Sequence, residues 1–325
     1  MRALIVIAVA AAASLSPVLP GAEYQIAVVP KGTTHEYWKS IEAGAMKAQR
    51  ELASEGIPVN IIWKGPLRED DREQQIQVVE NFVGRNVSAI VLAPLDSRAL
   101  VAPVEEAVRA GIPVVVIDSG LNSKLPSSTV ATDNRKGGQI GARRLGALLG
   151  GKGRAVMLRY EVGSDSTEQR EAGFLEVMKS EFPAIALIST DQYGGATTET
   201  AYRAAQNLLN RFGDQMDGVF APNESTANGM LLALRETGLA GKVRFVGFDA
   251  NEQLAAALRQ GDVQGLVVQD PLKMGYLGVM TVVSVLRHEA VADSIDTGVG
   301  LVTRENMDDP AVSALIHPPL SEYLK

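Results

Sequence analysis

Two aspartates stand at matching places in two halves of this sequence. Val114-Val115-Val116-Ile117 runs into Asp118-Ser119, and Val246-Gly247-Phe248 runs into Asp249-Ala250. Each phrase reads as a buried strand ending on a carboxylate. A second pair repeats the arrangement: Leu92-Ala93-Pro94-Leu95-Asp96-Ser97 and Phe220-Ala221-Pro222-Asn223-Glu224-Ser225. In each half the Ala-Pro strand end comes first and the strand ending in Asp follows one helix later. Ligands of open α/β sheets sit in the crevice outside the carboxyl ends of the strands. Carboxylates there accept protons from hydroxyl groups, and an amide such as Asn223 both donates and accepts. Asp118, Asp249 and Asn223 also suit capping of the helices that follow them. The repetition in equivalent halves favours ligand contact and predicts two similar sheets offering polar tips to one shared cleft.

The intervening elements carry those tips. Tyr24 to Val29, Val59 to Trp63, Ala89 to Ala93 and Val114 to Ile117 are short apolar runs, as expected of strands covered on both faces. Between them, 36–55, 70–83 and a segment capped by Ser97 and running to Ala110 show helical spacing. A loop rich in Ser, Gly, Asn and Pro (119–128) and a short extended run (129–132) mark a lobe boundary. Asp133 or Asn134 then caps a helix to Leu149. Strands at 155–158, 185–189, 218–221, 243–248 and 263–268 alternate with helices at 166–180, 197–212, 225–237 and 253–260. Pro271 opens a long helix to Arg287, 295–302 is extended, and the tail from Arg304 wraps the surface. Such alternation gives parallel sheets with helices on both faces.

Composition narrows the chemistry. A chain of 325 residues exceeds what one core usually organises. The formal charge of −7 argues against a nucleic-acid surface. Cysteine is absent, which excludes disulfides, thiolate nucleophiles and Cys-bound metals. His35, His288 and His317 lack metal-ligand spacing, and neither phosphate-binding glycine fingerprints nor a G-x-S-x-G elbow occurs. No cofactor, metal or catalytic set is expected. Residues 1–22 read as a cleaved secretory signal: Arg2, an apolar run from Ala3 to Ala13, then small residues to Ala22. An uncleaved anchor is the alternative, but the run is shorter than the roughly 20 residues that span a bilayer. A periplasmic protein follows.

With these phrases in order, the sequence resembles the periplasmic sugar-binding proteins of the ribose-binding type, which feed ABC importers. The resemblance rests on Tyr37-Trp38, Asp118, Ala131-Thr132-Asp133-Asn134 with Gly137-Gly138, Gln169 to Phe174, Phe220 to Glu224, Val246 to Asp249 and Val267-Val268-Gln269. It implies the type I periplasmic binding protein arrangement: two Rossmann-like lobes with parallel sheets joined by a three-segment hinge. Residues 23–132 with 270–300 would form the first lobe, and 133–269 with 301–325 the second. The crossings are expected near 131–133, 269–271 and 298–302. The ligand positions implied are His35, Tyr37 or Trp38, Asp118, Arg170, Asn223, Asp249 and Gln269. The partners implied are a sugar or polyol and an inner-membrane permease, with the binding protein itself a monomer.

Two departures leave the ligand open. The family commonly carries a second arginine after the strand-four aspartate, where Ser119 stands here. The first loop, Pro30-Lys31-Gly32-Thr33-Thr34-His35, with Lys64-Gly65-Pro66 and Glu168-Gln169, resembles instead the autoinducer-2 (furanosyl signal) binding proteins. That likeness adds Lys31 and Gln169 to the ligand set. It expects an aspartate where Glu168 sits and an alanine where Glu224 sits. Two other readings use the same cleft: an enzyme with Asp118 and Asp249 as an acid–base pair, and the effector core of a sugar-responsive repressor. Nothing marks either aspartate as a general acid, and a leader stands where a repressor would carry its helix-turn-helix.

Overall fold

Alternate residues of single strands enter opposite cores, which fixes the layering of the first lobe. Val28, Val91 and Val115 pack on one face, and Ala27, Val29, Ile90, Leu92 and Val114 on the other. This is the period of two that a strand imposes, with both faces covered. The computed structural model describes residues 23–324, so the signal sequence expected over 1–22 lies outside the described residues. The first lobe is built from β1 (Tyr24–Val29), α1 (Glu36–Ser54), β2 (Val59–Trp63), α2 (Arg72–Gly84), β3 (Ala89–Leu92), α3 (Val101–Arg109), β4 (Val114–Ile117) and β5 (Ser128–Ala131). The second holds α4 (Asn134–Leu148), β6 (Gly153–Arg159), α5 (Asp165–Glu181), β7 (Ile185–Tyr193), α6 (Thr198–Phe212), β8 (Gly218–Phe220), α7 (Glu224–Glu236), β9 (Arg244–Phe248), α8 (Glu252–Gln260) and β10 (Gly265–Gln269). Then α9 (Pro271–Leu286) returns to lie against α1, followed by β11 (Ser294–Asp296), β12 (Val299–Val302), α10 (Pro310–Ile316) and α11 (Leu320–Tyr323).

Two six-stranded sheets result, ordered β11-β5-β4-β3-β1-β2 and β12-β10-β9-β8-β6-β7. All pairings are parallel except β12, which runs antiparallel to β10. The chain passes between the sheets at 132–133, at Asp270 and at 297–298. The third crossing lies just before the expected 298–302, because Val299 to Val302 already pairs with β10 in the second sheet. Hydrogen bonds tie the crossings together. Thr132 Oγ1 lies 3.2 Å from Thr297 Oγ1, and Asp296 Oδ1 accepts from the amides of Asp133 (3.3 Å) and Gly298 (2.9 Å).

Two expectations need correction. Ser97 does not cap the third helix. Asp96, one residue earlier, takes the amides of Arg98 and Ala99 at 2.8 and 2.9 Å, and the helix proper begins four residues after Ser97. The tail also does not stay with the second lobe. Met307 and Ile316 join the second core, but α11 lies on α1 of the first lobe. There Arg50 donates to the carbonyls of Glu322 (2.6 Å) and Tyr323 (3.0 Å), supplying partners that a one-turn helix leaves free.

Candidate functional site

The strand tips of both sheets converge. Asp118 and Asp249 each leave their strand in the left-handed backbone region, with φ of 64° and 66°. Asp tolerates this conformation better than most residues, and such positions cluster at functional sites. Neither caps the next helix. Asn251 caps α8 through the Leu254 amide, and Asp133 caps α4 through the Lys136 amide. The two carboxylates are therefore turned to other work.

Asp118 is held by first-lobe groups. The Tyr37 hydroxyl donates to Oδ1 at 2.8 Å, and the Lys31 ammonium pairs with Oδ2 at 2.9 Å. Lys31 also reaches the second lobe, donating to Ser166 Oγ at 3.1 Å and Ser164 Oγ at 3.3 Å. Asp118 Oδ2, though ion-paired, is buried with no hydrogen bond made to it. Asp249 accepts from Gln269 Nε2 at 2.7 Å and from the Glu224 amide at 3.2 Å. Burial raises its pKa, against the pull of the Arg170 charge. Each oxygen of Asp249 keeps one acceptor site, because a carboxylate has about four. Gln269 Oε1 is buried without a partner, an acceptor aimed at something outside the protein's own hydrogen bonds.

Arg170 is placed by a helix contact. A Cβ on Gly138 of α4 would fall 1.8 Å from the Arg170 carbonyl, and one on Gly173 of α5 would fall 2.1 Å from that of Arg135. Only glycines let these helices touch so closely. The guanidinium then lies 3.9 Å over the Phe248 ring, donating from Nε to Asn134 Oδ1 at 2.8 Å and from Nη1 to the Pro222 carbonyl at 3.0 Å. Of its five N–H groups, both on Nη2 and the second on Nη1 are left for a ligand. Asn223 lines the pocket and also caps α7, accepting from the Thr226 amide at 3.3 Å.

His35, at the mouth of α1, donates Nδ1 to Glu69 at 2.6 Å. Burial lowers its pKa, but the Glu69 hydrogen bond and charge outweigh this and hold it at about 9. Burial likewise raises Glu69, and donation from His35, Tyr160 and Trp38 reverses this to about 2. Glu224 is pushed up to about 7 by burial, with His35 and Asn251 opposing.

Lys31, His35, Tyr37, Trp38, Asp118, Arg170, Asn223, Asp249 and Gln269 all line one space between the lobes. Gln169 does not join them. It is exposed and donates to Asp165 Oδ2 at 3.1 Å, because successive helical residues point about 100° apart and α5 turns Arg170 inward in its place. Sequence reasoning missed Glu69, Tyr160, Ser166 and Thr167. Tyr160 follows a strand end, so the strand-tip rule that found Asp249 points to it as well. Glu69 sits in a loop with no periodic signal. Among the described residues no cluster of three or more His, Asp or Glu is arranged to hold a metal ion.

The chain matches the family model described as periplasmic binding protein domain over residues 26–290. It is 30% identical to the D-ribose/D-allose-binding protein of Pseudomonas aeruginosa, over 86% of this chain and 88% of that protein. It is 26% identical to the xylitol-binding protein of Mycolicibacterium smegmatis, over 77% and 70% respectively. Among solved structures, a carbohydrate transporter solute-binding protein of Agrobacterium radiobacter in complex with D-arabinose shares 37% identity at a TM-score of 0.85, covering 91% of this chain and 99% of that one. An ABC transporter solute-binding protein of Agrobacterium vitis with bound D-fucose shares 33% at 0.86, covering 90% and 100%. Two parallel-sheet lobes, strand tips meeting in one cleft and a family match across most of the chain lead to one conclusion: this chain belongs to the periplasmic binding protein family.

Proposed function

We propose that this protein binds a neutral monosaccharide or sugar alcohol between its lobes and hands it to the membrane permease of an ABC importer. The observation that carries this reading is the convergence of Asp118, Arg170, Asp249 and the unpartnered Gln269 oxygen on one cleft between the lobes. Two acceptors, a planar donor fork and an amide suit vicinal hydroxyls. The Trp38 and Tyr160 rings line the same space and offer apolar faces to ring C–H groups. Hydrogen bonds to charged groups contribute about 1.5–3 kcal/mol each, so a few suffice for micromolar affinity at about −8 kcal/mol. Relatives named for ribose, allose and xylitol, and neighbours holding arabinose and fucose, support the same ligand class.

The protein acts as a monomer outside the inner membrane, exported by the leader expected over residues 1–22. Turnover plays no part: Asp118 is committed to Lys31 and Tyr37, and Asp249 to Gln269 and the Glu224 amide. The furanosyl-signal alternative is not retained. It leaned on Lys31, which is ion-paired with Asp118 and donates to Ser164 and Ser166, and the relatives carry sugar names. The test is a thermal-shift screen of pentoses, hexoses and polyols, with calorimetry on the hits. A rise in melting temperature with at least one monosaccharide or alditol supports the proposal. A flat response across the panel, with a shift from amino acids or nucleosides instead, overturns it.

A further inference from the structure

Glu69 is the least exposed acid of the loop between β2 and α2, at 6%. Three groups donate to it at short range: Trp38 Nε1 at 2.7 Å, His35 Nδ1 at 2.6 Å and the Tyr160 hydroxyl at 2.6 Å. The first two belong to the first lobe. Tyr160 belongs to the second, at the tip of β6, and is itself only 2% exposed. The Glu69 stem is seated on the first loop, where a Cβ at Gly32 would fall 2.8 Å from Glu69 Cγ. Carboxylate, imidazole, indole and phenol together form one wall of the cleft.

Two further contacts flank this wall and also cross the lobes. Arg72 donates to the Val162 carbonyl and the Ser97 amide to the Gly163 carbonyl, both at 2.9 Å. The segment after β6 thus presses on the first lobe.

We propose that Glu69 is a positioning residue that holds the His35–Trp38 wall in place in the open form and, on closure, captures the Tyr160 hydroxyl as an interlobe latch. The inference rests on the sugar-binding reading above and deepens it: affinity would come partly from a protein–protein hydrogen bond across the lobes. A buried carboxylate accepts strongly from a phenol, and hydrogen bonds to charged groups are the stronger kind. Trp38 is fixed by the same oxygen pair, so the latch also sets the aromatic face.

The test uses Tyr160→Phe, which removes one oxygen and keeps the ring, with Glu69→Gln and the double variant. Tyr160→Phe should weaken binding of the best sugar by about tenfold to a hundredfold. The loss should appear in the dissociation rate, with the association rate within about twofold, because the latch forms after the ligand has entered. The double variant should lose less than the product of the single losses, as expected for partners in one contact. Independent losses with an unchanged dissociation rate overturn the latch. A second measurement needs no sugar. The chain has no cysteine, so spin labels at Ser54→Cys and Ser180→Cys report the interlobe distance alone. Tyr160→Phe should deplete the short-distance population, and an unchanged distribution refutes the latch. Failure of every sugar to bind, with a shifted distance distribution, would instead strike the functional reading and leave the latch standing.

Discussion

Replacing Asp249 in turn by asparagine, alanine and glycine separates what its backbone costs from what its charge does. The residue sits at φ 66°. A non-glycine residue in the left-handed region costs about 1–2 kcal/mol, and asparagine tolerates it better than alanine. On backbone grounds the stability order is glycine, then asparagine, then alanine. Asparagine keeps an acceptor for the Glu224 amide or for Gln269 Nε2, which Asp249 serves at 3.2 and 2.7 Å. Affinity follows a different order. All three variants lose the charge, and with it one or two bonds of about 1.5–3 kcal/mol. Sugar binding should fall at least tenfold to a hundredfold in each, including the glycine variant that folds well. Urea unfolding gives the first order and isothermal calorimetry the second. If Asp249→Asn binds within twofold of the parent, the carboxylate is not a ligand group and the reasoning fails.

Three other outcomes follow from the same geometry. Lys31→Met leaves Asp118 buried without its cation, and breaking such a pair costs about 3–5 kcal/mol; chemical denaturation should register a loss of that order, and an unchanged midpoint would contradict the ion pair at 2.9 Å. Gly138→Ala drives a methyl group into the Arg170 carbonyl, so stability should fall by about 1–3 kcal/mol or more and sugar affinity with it, whereas a tight-binding Gly138→Ala protein would show that Arg170 is not placed by that contact. Glu224 gives a pH dependence. Burial raises it to about 7 in the closed fold, above its ordinary carboxylate value, so closure takes up a proton: binding should be tightest at pH below that ordinary value, weaken as pH rises toward about 7 and level off above it. His35 stays charged up to about 9 in the closed fold. Glu161, raised to about 7 by burial and by Asp70, leaves a residual slope when Glu224→Gln flattens most of the dependence in calorimetry from about pH 4.5 to 8. Binding that strengthens toward pH 8 would contradict the assignment.

The architecture was legible because buried parallel strands leave an unmistakable trace. Ala89 to Leu92 and Val114 to Ile117 are apolar at every position and are buried at every position. The paired aspartates were legible for a second reason: a polar residue closing such a run has to face the crevice. Residues that act through loops left no such mark. Glu69 and Ser166 are fixed by partners far away in sequence, and only the folded chain brings them together. Gln169 shows the converse limit. A motif names neighbours, but a helix turns adjacent residues apart, and only the contact through Gly138 and Gly173 decides that Arg170 faces the cleft. The end of the tail left no such mark because α11 is a single turn held by Arg50, not by a periodic apolar face.

The most direct measurement is a crystal structure of the protein with its tightest-binding monosaccharide or alditol. The account predicts one molecule between the lobes, with hydroxyls in hydrogen-bond contact with Asp249, Arg170 and Gln269 on one side and with Asp118 or its Lys31 partner on the other. A sugar lodged outside that cleft, or touching groups of one lobe only, would contradict it.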